Sequence, residues 1–100
     1  MKYAWMTLLL LACDVRGENP PPAVVAGRYE ANCAYCHEAG AADAPRRGDE
    51  DDWARRRARG FDVLLDRAKK GTVAMPPKGL CYDCSDAELT TLVKFVSGSD

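Results

Sequence analysis

Apolar positions along this chain recur every three to four residues, the spacing of one helix face. Phe61, Leu64, Leu65 and Ala68 form an i, i+3, i+4, i+7 stripe, and Gly71 supplies a stop behind it. Leu89, Leu92, Val93 and Val96 form a second stripe. Ser85-Asp86-Ala87-Glu88 stands ahead of it as a capping box, which fixes where that helix opens. Val24 to Asn32 reads as a first helix, with Pro22 in its start region. Asp49 to Arg59 sets Asp49, Glu50, Asp51 and Asp52 ahead of Arg55, Arg56, Arg57 and Arg59. Acids at the start and bases at the end suit the helix dipole. Asp51 with Arg55, and Asp52 with Arg56, have the i,i+4 spacing of helix ion pairs, and Gly60 closes the segment. No strand signal competes. The pattern predicts an all-α domain of three to five short helices over residues 24–100, with long loops at 38–48 and 72–84.

Composition changes this picture in two ways. A chain of 100 residues is one small domain, marginal on hydrophobic burial alone, and such domains often need a disulfide, metal or cofactor. A net charge of −1 leaves no electrostatic footprint for nucleic acid and argues against strong long-range steering of a partner.

The N-terminus departs from the helical pattern. Lys2 precedes an apolar run from Tyr3 to Ala12 broken only by Thr7, and Asp14, Arg16 and Glu18 follow abruptly. The run is far short of the roughly 20 residues a membrane helix needs, and it matches a signal peptide over residues 1–12. A buried N-terminal helix is the competing reading. Leu10-Leu11-Ala12-Cys13 resembles the bacterial lipobox, which implies lipidation of Cys13 and tethering to a membrane. The alternative is an incidental cysteine inside a discarded signal. Residues 13–23 then form a linker, stiffened by Pro20-Pro21-Pro22.

Five cysteines in a chain this short focus the chemistry. Cys33-Ala34-Tyr35-Cys36-His37 has the spacing of covalent haem attachment. Two thiols add to the two haem vinyl groups, and the next residue aims an imidazole at the iron. His37 is the only histidine in the chain. Three other readings compete: a thiol redox pair, a four-cysteine zinc site made with Cys81 and Cys84, and structural disulfides without a cofactor. The thiol pair wants a βα setting, and zinc leaves His37 unexplained. Met75 is the expected second axial ligand, since Met1 and Met6 lie in the signal segment. A thioether is soft and neutral, so it favours ferrous iron. Pro76 and Pro77 restrict its loop. Lys78 and Lys69 are weaker candidates, and a lone Met is elsewhere core filler. In an oxidising compartment Cys81 and Cys84 are expected to pair as a disulfide that stiffens the loop after Met75.

Together these residues resemble a class I c-type cytochrome of the cytochrome c5 type. The resemblance runs from about Tyr29 to Val96. It rests on Cys33-Ala34-Tyr35-Cys36-His37, Ala44-Pro45, Gly48-Asp49, Trp53, Ala74-Met75-Pro76-Pro77-Lys78-Gly79 and the Cys81/Cys84 pair. It implies one covalent haem c per chain and single-electron transfer between a redox donor and acceptor in a bacterial periplasm. A haem-bearing relay subunit of a larger enzyme is the alternative. It further implies that the Pro45 carbonyl accepts a hydrogen bond from the His37 ring, and that Trp53 lies near the haem propionates or simply packs in the core. One of Arg55, Arg56 or Arg57 would neutralise a propionate, and Tyr29 would meet Phe95 where the first and last helices cross. The resembling proteins place a glycine eight residues before the first haem cysteine; here Val25 stands there, with Gly27 two residues on.

Overall fold

A computed structural model of the protein describes residues 20–100. The expected signal segment, Cys13 and most of the linker lie outside the described residues. Within them the backbone forms α1 (Pro22–Arg28), a π turn (Tyr29–Cys33), α2 (Ala34–His37), α3 (Glu50–Arg57), α4 (Phe61–Lys70) and α5 (Asp86–Ser97). Short 3₁₀ turns sit at Ala41–Asp43 and Pro77–Leu80, and no strand occurs among the described residues. The fold is all-helical, as the periodicity predicts.

The first helix is longer than the apolar pattern implies. It starts at Pro22, whose missing N–H costs nothing at a helix start, so the last linker residues are helical. It runs through the π turn into α2 without a break, placing Cys33, Cys36 and His37 on one continuous helical segment. The expected 49–59 helix is trimmed to α3, with the Asp49 carboxylate accepting from the Asp52 N–H at 3.3 Å. Two of its ion pairs converge on Asp52, which meets Arg56 at 2.9 Å and Arg55 at 3.6 Å, while Arg57 pairs with Glu50. Arg55 pairs one turn back with Asp52 rather than with Asp51. Gly60, at φ 108°, opens α4 instead of closing α3. The capping box of α5 forms as read, with Glu88 N–H to Ser85 Oγ at 3.0 Å and Ser85 N–H to the Glu88 carboxylate at 3.4 Å.

The core joins α1, α3 and α5 through Val25, Tyr29, Trp53, Leu92 and Val96, with Cys81 and Cys84 in the same cluster. Those two cysteines form a disulfide with Cα atoms 5.4 Å apart, both almost fully buried. Tyr29 meets Phe95 edge-on, with ring centroids 5.0 Å apart, at the α1–α5 crossing. Val25 is buried there, so this crossing accommodates a branched side chain where the resembling proteins carry glycine. A Cβ added at Gly27 would meet nothing within 4 Å, so Gly27 does not take over that role. Arg28 ties the first helix to the disulfide loop and to α5, reaching Asp83 at 2.7 Å and Glu88 at 3.1 Å. Arg47 bridges from loop 38–48, bonding Glu38 at 2.8 Å and stacking its guanidinium 4.9 Å from the Phe95 ring centroid.

Candidate functional site

One cavity of about 470 Å³ opens among the helices, a volume typical of small-molecule and cofactor sites. Its walls are the inner faces of α4 and α5: Leu64 and Ala68 from one, and Leu89, Leu92, Val93 and Val96 from the other. All four residues of the predicted α5 stripe and two of the α4 stripe, Leu64 and Ala68, therefore face the cavity.

The helical segment that ends in α2 supplies Cys33, Cys36 and His37 to this cavity. Both thiols are free and half-buried. Burial, with the neighbouring Cys36 second, pushes the Cys33 thiol up. That is the opposite of the shift that activates a nucleophilic thiol. His37 Nδ1 lies 2.7 Å from the Pro45 carbonyl oxygen. A carbonyl only accepts, so Nδ1 carries the proton and Nε2 keeps its lone pair, ready for a metal. Such a bond also fixes the ring's orientation.

Trp53 is buried on the cavity wall, its ring centroid 6.1 Å from that of His37. Its Nε1–H donates to the Arg46 carbonyl at 2.8 Å, so its polar edge braces loop 38–48. Core packing and cavity lining coincide in this residue.

Met75 and Pro76 reach the cavity from loop 72–76. Met75 Cε would lie 3.7 Å, and Cys33 Sγ 4.0 Å, from a Cβ built on Gly79. The thioether and the first motif thiol thus meet beside one glycine. Of the rival ligands, Lys78 also lines the cavity, but its Nζ donates to the Cys84 carbonyl at 3.4 Å. Lys69 is not among the lining residues and pairs with Asp86 at 3.8 Å.

Of the three candidate arginines only Arg56 lines the cavity. Arg55 projects outward, and Arg57 donates to the Ser97 carbonyl at 2.7 Å. Arg67, on α4, also lines it and went unnoticed in the sequence. The signal was available, because Arg67 falls three residues after Leu64 on the edge of the same stripe.

Cys81 and Cys84 stay outside the cavity lining, joined to each other. Among the described residues no three His, Cys, Asp or Glu side chains gather as a metal-binding cluster. The four-cysteine zinc reading therefore has no geometric support.

The residues present fit a haem: two thiols one helical turn apart, an imidazole with a free Nε2, a thioether, apolar walls, and Arg56, Arg67 and Lys78 as cations for carboxylates. Fold and site together define a small haem-binding domain of the c-type cytochrome class.

Comparison with known proteins places the chain further. A profile of the family described as cytochrome c oxidase, cbb3-type, subunit III matches residues 20–96. The chain is 45% identical over 69 residues to cytochrome c5 of Ectopseudomonas mendocina, covering 67% of this chain and 79% of that one. It is 36% identical over 74 residues to cytochrome c-555 of Chlorobaculum tepidum, covering 70% and 68%. Among solved structures, a mono-haem ferrocytochrome c from Shewanella putrefaciens matches at TM-score 0.68 and 37% identity, covering 76% of this chain and 94% of that one. An electron transfer complex of nitrite reductase with cytochrome c contains a chain matched at TM-score 0.71 and 37% identity, covering 78% and 94%. The chain belongs to this cytochrome c family, and it is a single-electron carrier with one covalently attached haem c.

Proposed function

We propose that Cys33 and Cys36 would hold the haem by thioether bonds and that His37 Nε2 and the Met75 sulfur would ligate its iron. The observation that carries this reading is the 2.7 Å contact from His37 Nδ1 to the Pro45 carbonyl, which leaves Nε2 facing a cavity shared with both thiols and Met75. When bound, haem supplies a one-electron iron couple. The chain's own residues do the rest. Pro45 holds the imidazole, the Met75 sulfur would be the second iron ligand, and the leucine and valine walls exclude water. Arg56 and Arg67 offset propionate charge. With His37 and Met75 both ligating, the iron would have no site for a substrate, so the protein would pass electrons and not act as an enzyme.

Around this core we place a signal over residues 1–12, a linker over 13–23 anchored by lipid at Cys13, and the cytochrome domain over 24–100. Leu10-Leu11-Ala12-Cys13 supports export and tethering on the periplasmic side of a membrane. No helix of the described residues is long and apolar enough to cross a membrane. Donor and acceptor are other redox proteins in respiratory electron transfer. An electron carrier is favoured over a relay subunit, since the proteins the chain resembles include cytochromes c5 and a mono-haem ferrocytochrome c.

The test is intact-mass analysis after expression with a haem-attachment system. The wild type should keep haem through acid–acetone extraction, and the Cys33→Ala/Cys36→Ala double variant should lose it. Retention of haem by the double variant would sink the assignment. Labelled palmitate should enter the wild type but not Cys13→Ala.

A further inference from the structure

Loop 72–76 contains an arrangement that ligand identity alone does not explain. Thr72 holds both backbone polar groups of Met75: its N–H donates to the Met75 carbonyl at 2.8 Å, and its Oγ accepts from the Met75 N–H at 3.1 Å. The two following residues are prolines without an N–H, so Met75 offers the only donor in Met75-Pro76-Pro77. Behind the clasp, Gly71 sits at φ 80°, where an added Cβ would come within 2.9 Å of the Met75 carbonyl and 2.8 Å of the Pro77 nitrogen. The loop is thus closed tightly on Met75 from the Thr72 side, and Thr72 itself lines the cavity.

We infer that Thr72 is the positioning residue for the Met75 ligand, its hydroxyl setting how firmly the thioether resists displacement. The inference rests on the reading of Met75 as axial ligand. The Thr72 N–H bond survives any side-chain change, so the hydroxyl contributes the separable half of the clasp. Losing it frees the Met75 N–H to rotate away and lets the sulfur leave more easily. Because a thioether favours ferrous iron, a looser Met75 also lowers the reduction potential.

The test uses the full-length haem-loaded protein as wild type, Thr72→Val and Thr72→Ser. Three readouts apply: exogenous imidazole titrated against the oxidised form, the weak long-wavelength Met-to-iron band, and the midpoint potential. Thr72→Val keeps the side-chain shape and removes the acceptor; imidazole should bind roughly two- to tenfold more tightly, the fold-change for one net hydrogen bond. The potential should fall. Thr72→Ser keeps the acceptor and should stay close to wild type in both. Wild-type behaviour of Thr72→Val, with a normal Met band, would overturn the inference while leaving Met75 as ligand. Equal loosening in Thr72→Ser would also overturn it, since the hydroxyl would then not be the cause. Absence of the Met band in the wild type would remove the underlying reading, and the inference with it.

Discussion

Trp53 contributes twice at the cavity wall, through a buried ring and through its N–H to the Arg46 carbonyl. Trp53→Phe keeps an aromatic ring but removes one of the two hydrogen bonds to that carbonyl, which still accepts from the Asp49 N–H, and leaves a small void. It should cost about 1–3 kcal/mol in chemical denaturation, with haem still attached. Wild-type stability would show that the indole N–H braces nothing. At this scale the sequence was most legible where function is local. Cys33, Cys36 and His37 stand out in the sequence because attachment to two vinyl groups requires a fixed short spacing, and all three line the same cavity. Met75 is readable because it is the only methionine beyond the signal segment. Arg67 and Thr72 were not read, because their roles depend on which loop lies across the cavity. Four non-glycine residues with left-handed backbone, Ala42, Asp43, Lys78 and Leu80, were equally invisible. All four line the cavity. Each such conformation costs roughly 1–2 kcal/mol, so tertiary packing rather than local preference sets these turns.

Among the elements, the junction between α4 and the Met75 loop is the most constrained. Gly71→Ala places a Cβ against the Met75 carbonyl and Pro77 at a backbone angle that disfavours any side chain. It should destabilise the haem-loaded protein by about 1–3 kcal/mol and weaken the Met-to-iron band, as read by denaturation and optical spectra. The join between the first helix and α5 is electrostatic at its rim. Arg28, hydrogen-bonded to Asp83, holds that carboxyl below the ordinary carboxylate range; for Glu88 the Ser85 N–H does most of this and Arg28 adds to it. Carboxyls whose folded-state pKa is depressed stabilise the fold above their unfolded pKa. That contribution is lost as pH falls through the folded value. Denaturation midpoints measured from neutral pH down into the acid range should therefore fall, and Arg28→Ala should flatten the Asp83 part of that decline. An unchanged acid profile in Arg28→Ala would remove Arg28 as the cause. Helix positions were legible here from stripes and caps, as α5 shows. Gly60 was misread because a glycine between two helices can end one or open the next. The π turn at Tyr29–Cys33 has no sequence signature, and it joins what read as a helix and a motif into one segment.

Across the whole molecule, Leu64 and Ala68 of α4 and Leu89, Leu92, Val93 and Val96 of α5 line a cavity. The domain is thus built around its cofactor, and a haem-free chain should lose cooperative unfolding because those walls have no partner. Calorimetry of the Cys33→Ala/Cys36→Ala variant would check this; a sharp wild-type transition without haem would contradict it. The Tyr29 phenol, bonded to Glu38 on the far side of the first helical segment, is pushed up to about 12 chiefly by burial. The phenol itself stays neutral throughout this range, but its bond to Glu38, with Arg47 second, holds that carboxyl below the ordinary carboxylate range, so Tyr29 adds to the acid decline through Glu38. On the proposed ligation by His37 and Met75 the iron would have no open site, the property that separates a carrier from a ligand-binding or catalytic haem protein. Carbon monoxide added to the reduced full-length protein at neutral pH tests this most directly. No adduct should form with the wild type, while Met75→Ala, keeping its covalent haem, should bind the gas readily. Stoichiometric binding by the wild type would mean an open iron site, and the electron-carrier account would fail.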